Sequence, residues 1–161
     1  MHSNKKVKVK IADIAVGTTP QILTTFGLGS CVAVMLYDPV AKVGGMNHFL
    51  LPTESSGSKG KKNPAKFSDT GIEILLRRIE DLGGKKERLV AKLVGGANMF
   101  PSLTKNSIGQ KNVDAALKIL NKHSITISSM DTGGNWGRSV EFHLSDGDVI
   151  VKSYKRGEKR I

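Results

Sequence analysis

Apolar positions along this chain follow two rhythms. Alternation rich in β-branched residues marks strands at Val7–Ile11, Ile22–Phe26, Cys31–Tyr37 and Val43–Leu51, then again at Leu89–Val94, Ile125–Met130, Ser139–Leu144 and Val149–Tyr154. Helical spacing occurs twice. Ile72, Leu75, Leu76, Ile79 and Leu82 form one face of a helix that Ser68 or Asp69 would cap and Gly83 would end, with Glu73 and Arg77 one turn apart. Val113, Ala116, Leu117 and Leu120 form the stripe of a second helix, starting where Ser107 and Gln110 have capping-box spacing. Asp38–Ala41 and Asp146–Gly147 read as tight turns, and residues 53–66 (TESSGSKGKKNPAK) as a flexible low-complexity loop. Strands outnumber helices, so the pattern predicts an α/β (α+β) fold of mixed β-sheets packed as layers and flanked by a few helices. No repeat or boundary divides it, and residues 1–161 read as a single domain.

Composition narrows the class. Apolar residues make up 39%, enough for a core, which excludes a wholly disordered chain. Aromatics at 5% argue against a binder that stacks single-stranded bases. One cysteine allows no internal disulfide and no thiolate cluster, and no His-x-x-x-His or carboxylate cluster suggests a metal, so no metal is expected. No apolar run approaches the roughly 18 residues of a membrane span, and the basic start MHSNKKVKVKIADIAV lacks an export signal's apolar region. The expectation is a cytoplasmic protein without membrane insertion.

The net charge of +11 changes meaning once it is located. Residues 1–10 contribute +4, residues 54–66 +3 and residues 152–161 +4, so the body between them is neutral. The two ends, with basic tails at about 1–6 and 156–161 at their extremes, and one loop thus carry the excess within 1–10, 152–161 and 54–66, which suits solubility and encounter with acidic protein surfaces better than nucleic-acid binding.

Candidate chemistry gathers in Thr25–Phe26–Gly27–Leu28–Gly29–Ser30–Cys31. A glycine-rich turn leaves backbone N–H groups free to face a cleft, and a cysteine at its end becomes a nucleophile if its pKa is lowered. A turn centred on Pro39–Val40 would set Cys31 opposite His48 on the next strand. Two readings of this pair stand side by side: a buried small hydrophobe with a core histidine, or a nucleophile with its base. Gly44–Gly45 reads as a bulge aiming His48, while Gly95–Phe100 and Asp131–Arg138 read as strand-end turns building a cleft.

The segments TFGLGSCVAVMLYDPVAKVGGMNHFLLP, KFSDTGIEILL, KLVGGANMF, IGQKNV and DTGGNWGRSVEF, in this order, closely resemble the CheD family over roughly residues 8–155. The resemblance implies a chemoreceptor glutamine deamidase, converting glutamines on the cytoplasmic helices of methyl-accepting chemotaxis receptors to glutamate with no metal or organic cofactor required. It implies a fold similar to cytotoxic-necrotizing-factor-like deamidases. The family's nucleophilic cysteine falls on Cys31, its histidine on His48 and its threonine on Thr25. Gly27, Gly29, Ser30, Trp136 and Arg138 would line the substrate cleft. A CheC-type phosphatase is a further partner the family implies. The alternative function is accordingly a regulatory binding module that docks on such a phosphatase or on a receptor and stimulates CheY-phosphate dephosphorylation.

Overall fold

The computed structural model describes residues 5–54, 63–103 and 107–161; the Lys-rich part of the 53–66 loop lies outside them. Three layers are stacked: two α-helices, a central sheet and an outer sheet. The central sheet has the order β2 (Asp13–Thr18), β5 (Val43–Phe49), β4 (Val32–Asp38), β6 (Val90–Gly95), β7 (Thr126–Thr132). The outer sheet has the order β1 (Lys6–Lys8), β3 (Ile22–Leu28), β8 (Arg138–His143), β9 (Val149–Ser153), β10 (Gly157–Arg160). Both sheets mix parallel and antiparallel pairs, as the sequence predicted for the fold class.

Strand β4 shows why the layers form. Val32, Val34 and Leu36 face helices α1 (Ser68–Asp81) and α2 (Ile108–Lys122), while Cys31, Ala33, Met35 and Tyr37 face the outer sheet. A strand covered on both faces reads as a continuous apolar run. The predicted stripes of both helices pack on the first of these cores, with Leu117 only partly buried. Leu82 is the exception: it closes α1 and is 43% exposed, and Gly83 follows with φ of 98°. The N-cap of α1 is Phe67 rather than Ser68 or Asp69, whereas Ser107 caps α2 by accepting from the Gln110 N–H at 3.1 Å.

Two strands depart from the sequence reading. The first is β2, which pairs along β5 at the edge of the central sheet. The second is β10, which occupies residues expected to be a basic tail. Its four residues are all exposed, and it is held by pairing with β9 and by the Arg160–Asp148 ion pair at 2.6 Å.

The hairpin between β4 and β5 fixes the register that matters most. The Asp38 carbonyl accepts from the Lys42 N–H at 2.8 Å, Lys42 takes φ of 54°, and Asp38 Oδ1 accepts from the Val40 and Ala41 amides. The loop therefore runs from Pro39 to Lys42, Asp38 pairs with Val43, and His48 stands opposite Ala33, not Cys31.

Candidate active site

Thr25, Cys31 and His48 converge from facing surfaces of the two sheets. Cys31 precedes β4, His48 lies on β5, and Thr25 comes from β3 of the outer sheet. The register differs by two residues from the expected one, and an even slip keeps a side chain on its face. Cys31 is thus diagonal to His48 across the hairpin, and both point into the space between the sheets.

Hydrogen bonding assigns the histidine tautomer. Thr25 Oγ1 lies 2.6 Å from the Val9 carbonyl oxygen and 2.7 Å from His48 Nδ1. A hydroxyl has one proton, and a carbonyl only accepts, so Thr25 donates to Val9 and must accept from Nδ1–H. Nε2 then carries the lone pair, and among the described residues it has no hydrogen-bond partner. Burial lowers the His48 pKa from 6.5 to about 4, keeping the ring neutral. Burial also raises the Cys31 thiol, against a smaller opposing pull from its own backbone N–H. Burial between the sheets disfavours both charged forms, so the pair rests as a thiol and a neutral imidazole, and the lowering that the sequence reading set as the condition for a nucleophile is not met in the free site.

The turns around Cys31 are laced together by backbone bonds. Gly29 O accepts from Ala97 N–H at 2.8 Å and Cys31 O from Gly96 N–H at 2.8 Å. Asn98 N–H donates to Gly134 O and Gly133 N–H to Gly95 O, bringing the third turn alongside. Gly95 has φ of 116°, and a Cβ there would lie 2.3 Å from the Cys31 oxygen. These glycines serve close backbone approach. Gly44 and Gly45 form no bulge, since β5 pairs in continuous register with both neighbours. A Cβ on Gly45 would meet Leu75 Cδ1 at 2.6 Å, so this glycine admits helix α1 to the sheet.

The expected substrate-contact residues divide. Gly27, Gly29 and Ser30 lie on the accessible rim of the turn that precedes Cys31. Arg138 is 4% exposed, and its guanidinium donates to Gly133 O, Trp136 O and Asp131 Oδ1, holding its own turn together. Trp136 is half-buried, with Arg138 4.7 Å and Arg156 4.3 Å from its ring.

Sequence reasoning reached one wall of one further feature, through the Gly95–Phe100 turn, and missed a second altogether. A groove of about 440 Å³ opens beside Ser30, walled by Met99, Phe100, Leu103 and Ile108. Phe100 is 68% and Leu103 78% exposed. The other feature is Asn112, buried on α2, which donates to the Ser30 and Leu50 carbonyls. The sequence signal was a polar residue between Gly109 and Val113 on the buried side of a helix. A larger depression of about 630 Å³ on the outer sheet, between Phe26 and Tyr154, contains none of the three converging residues. Among the described residues no cluster of His, Cys, Asp or Glu is arranged to hold a metal, and no helix is long and apolar enough to cross a membrane.

Among solved structures, a DUF152-family protein of Neisseria meningitidis is similar with a TM-score of 0.49 and 10% identity, over 81% of this chain and 63% of that one. The relatives by sequence are far nearer. A probable chemoreceptor glutamine deamidase CheD of Caldanaerobacter subterraneus subsp. tengcongensis is 46% identical over 98% of this chain and 99% of its own length. The chemoreceptor glutamine deamidase CheD of Halalkalibacterium halodurans is 44% identical over the same shares. A probable chemoreceptor glutamine deamidase CheD of Pyrococcus horikoshii is 46% identical over 96% of each chain. The family model for CheD chemotactic sensory transduction matches residues 50–153, beginning just past His48, and the full-length relatives extend across the converging strands. With a family model matching most of the chain and relatives alike along nearly all of it, the chain belongs to the CheD family.

Proposed function

We propose that this chain is a cytoplasmic chemoreceptor glutamine deamidase that hydrolyses glutamine side chains on the signalling helices of methyl-accepting chemotaxis receptors to glutamate and ammonia. The observation that carries this reading is the one-proton argument at Thr25. It leaves a base with a free lone pair, His48 Nε2, on the same inter-sheet face as the only cysteine.

The chemistry follows from those groups. Cys31 and His48 rest neutral, so the thiol gives up its proton to His48 Nε2 as the sulfur attacks the glutamine carbonyl carbon. The Cys31 backbone N–H donates to the oxyanion that forms. The imidazolium returns its proton to the amide nitrogen, ammonia leaves, and a thioester on Cys31 remains. Neutral His48 then takes a proton from water, the hydroxide adds to the thioester carbon, and collapse releases the glutamate carboxyl and the Cys31 thiol. Thr25 keeps the ring in the required tautomer throughout.

Target selection falls to the groove beside Ser30. Its exposed Met99, Phe100 and Leu103 suit the apolar edge of a helix carrying the target glutamine. A CheC-type phosphatase offering a receptor-like helix would take the same groove and compete with substrate.

Mass spectrometry of a receptor cytoplasmic fragment incubated with the protein, beside Cys31→Ser, tests the reading. The expected result is glutamine-to-glutamate conversion at defined sites that Cys31→Ser abolishes. Conversion that survives the substitution removes Cys31 from the mechanism. No conversion by either protein, on cognate receptors under reducing conditions, overturns the deamidase itself.

A further inference from the structure

The two strands that carry Cys31 and His48 part company at the site. Their ladder ends at the Val32–Phe49 pair. Beyond it the β5 chain bends away, with the Leu50 and Leu51 amides donating to the Lys66 carbonyl and Leu51 bridging to Phe67. The other branch, Ser30–Cys31, turns toward Gly96 and Ala97. Asn112 from α2 fills the fork. Its Nδ2 donates 2.9 Å to the Ser30 carbonyl and 2.8 Å to the Leu50 carbonyl, spanning the gap where the next rung of the ladder would lie. Two carbonyl acceptors fix the amide's orientation, because only the NH2 side donates.

Its other oxygen strengthens the point. Asn112 is fully buried, and Oδ1 has no hydrogen-bond partner among the described residues. A buried acceptor left alone is unfavourable, and an apolar residue would avoid it. The helix is also brought unusually close: a Cβ on Gly109 would lie 2.3 Å from the Ala97 oxygen. Gly109 and Asn112 together hold the first turns of α2 against both branches.

We infer that Asn112 is a positioning residue: by strapping the residue before Cys31 to the end of the His48 strand, it sets the alignment of thiol and imidazole. The inference rests on the deamidase reading above for its effect on turnover, and on the fork geometry alone for its effect on the thiol.

Both effects are measured. Asn112→Asp keeps the shape and loses both donors; Asn112→Ala removes the strap without adding charge. At a temperature where circular dichroism gives folded protein, kcat on a receptor fragment is expected to fall about 10²-fold in each, the scale of an ångström-level misplacement, with KM unchanged. In a substrate-free assay, the pH at half-maximal alkylation of Cys31 by iodoacetamide is expected to move down in Asn112→Ala, toward an ordinary thiol, as the freed loop admits water. A residue that only stabilises the fold would lower the melting temperature and leave both readouts of folded molecules alone. Wild-type kcat, or an unchanged alkylation profile, in a folded variant overturns the inference. If wild-type protein fails to deamidate while the profile still moves, the deamidase reading fails and the strap stands. Should Asn112→Asp or Asn112→Ala not fold, Asn112→Ser, which keeps a single donor, carries the same two measurements.

Discussion

Acid should unfold this protein through His48 over a definable window. In the folded chain burial holds the imidazole pKa at about 4, against 6.5 in the unfolded chain. Between those values the unfolded state binds a proton that the native state refuses, so stability rises with pH there. The contribution is fully present above 6.5 and lost as pH falls through about 4. At about 1.4 kcal/mol per pH unit, the window amounts to roughly 3 kcal/mol, a large share of a typical domain's stability. Urea unfolding at a series of pH values, for wild type and His48→Gln, isolates this group from every other titration. Wild-type stability should fall more steeply than the variant's, with the gap growing to roughly 3 kcal/mol across the window. Parallel curves for the two proteins would refute the burial argument. The acid limb of kcat/KM, which reports the free enzyme, should correspondingly lie near 4 and not at 6.5.

Three further substitutions test the architecture. Thr25→Val keeps the shape but leaves the Val9 carbonyl and His48 Nδ1 unpartnered, so kcat for ammonia release should drop about 10²-fold or more, with Thr25→Ser near wild type. Gly95→Ala forces a side chain into a left-handed position 2.3 Å from the Cys31 oxygen; a lower urea midpoint, by about 1–3 kcal/mol, and loss of activity in the folded fraction are expected. Burial would raise the Asp38 carboxyl, but Arg88 and the Ala41, Lys85 and Val40 amides outweigh it and hold it at about 2. Asp38→Ala strands those donors, and urea unfolding should register a loss of about 3 kcal/mol.

The sequence pattern reached the fold class because both cores are built from regular stripes, such as Ile72–Leu75–Leu76–Ile79 and the doubly covered β4 run. Its failures have local causes. Strand β10 contains no apolar residue, so no alternation marks it; backbone pairing and an ion pair make it a strand. Register across the first hairpin turned on Lys42 adopting φ of 54°, a conformation that no glycine announced. Cys31, His48 and Thr25 were legible as a motif. The pairing of Thr25 with His48 was legible only through the family resemblance, because the bond crosses between sheets and depends on how the layers stack. Asn112 was hidden for a similar reason: its partners are backbone carbonyls of distant segments, which carry no side-chain signature.

The interleaving of the sheets constrains how such a chain can be recombined. The outer sheet draws β1, β3, β8, β9 and β10 from both ends of the chain, while the central sheet takes β2 and β4 to β7. No single cut separates the two sheets from each other, and a crossover between two relatives anywhere along β2 to β7 would leave strands from different parents side by side in at least one layer. Thr25 and His48 would have to be inherited in mutually fitted layers for the imidazole to keep its tautomer. A chimaera library crossed over at successive loops should therefore lose deamidation far more often than it loses solubility, because a mismatch between layers too small to unfold either sheet still disarms the histidine.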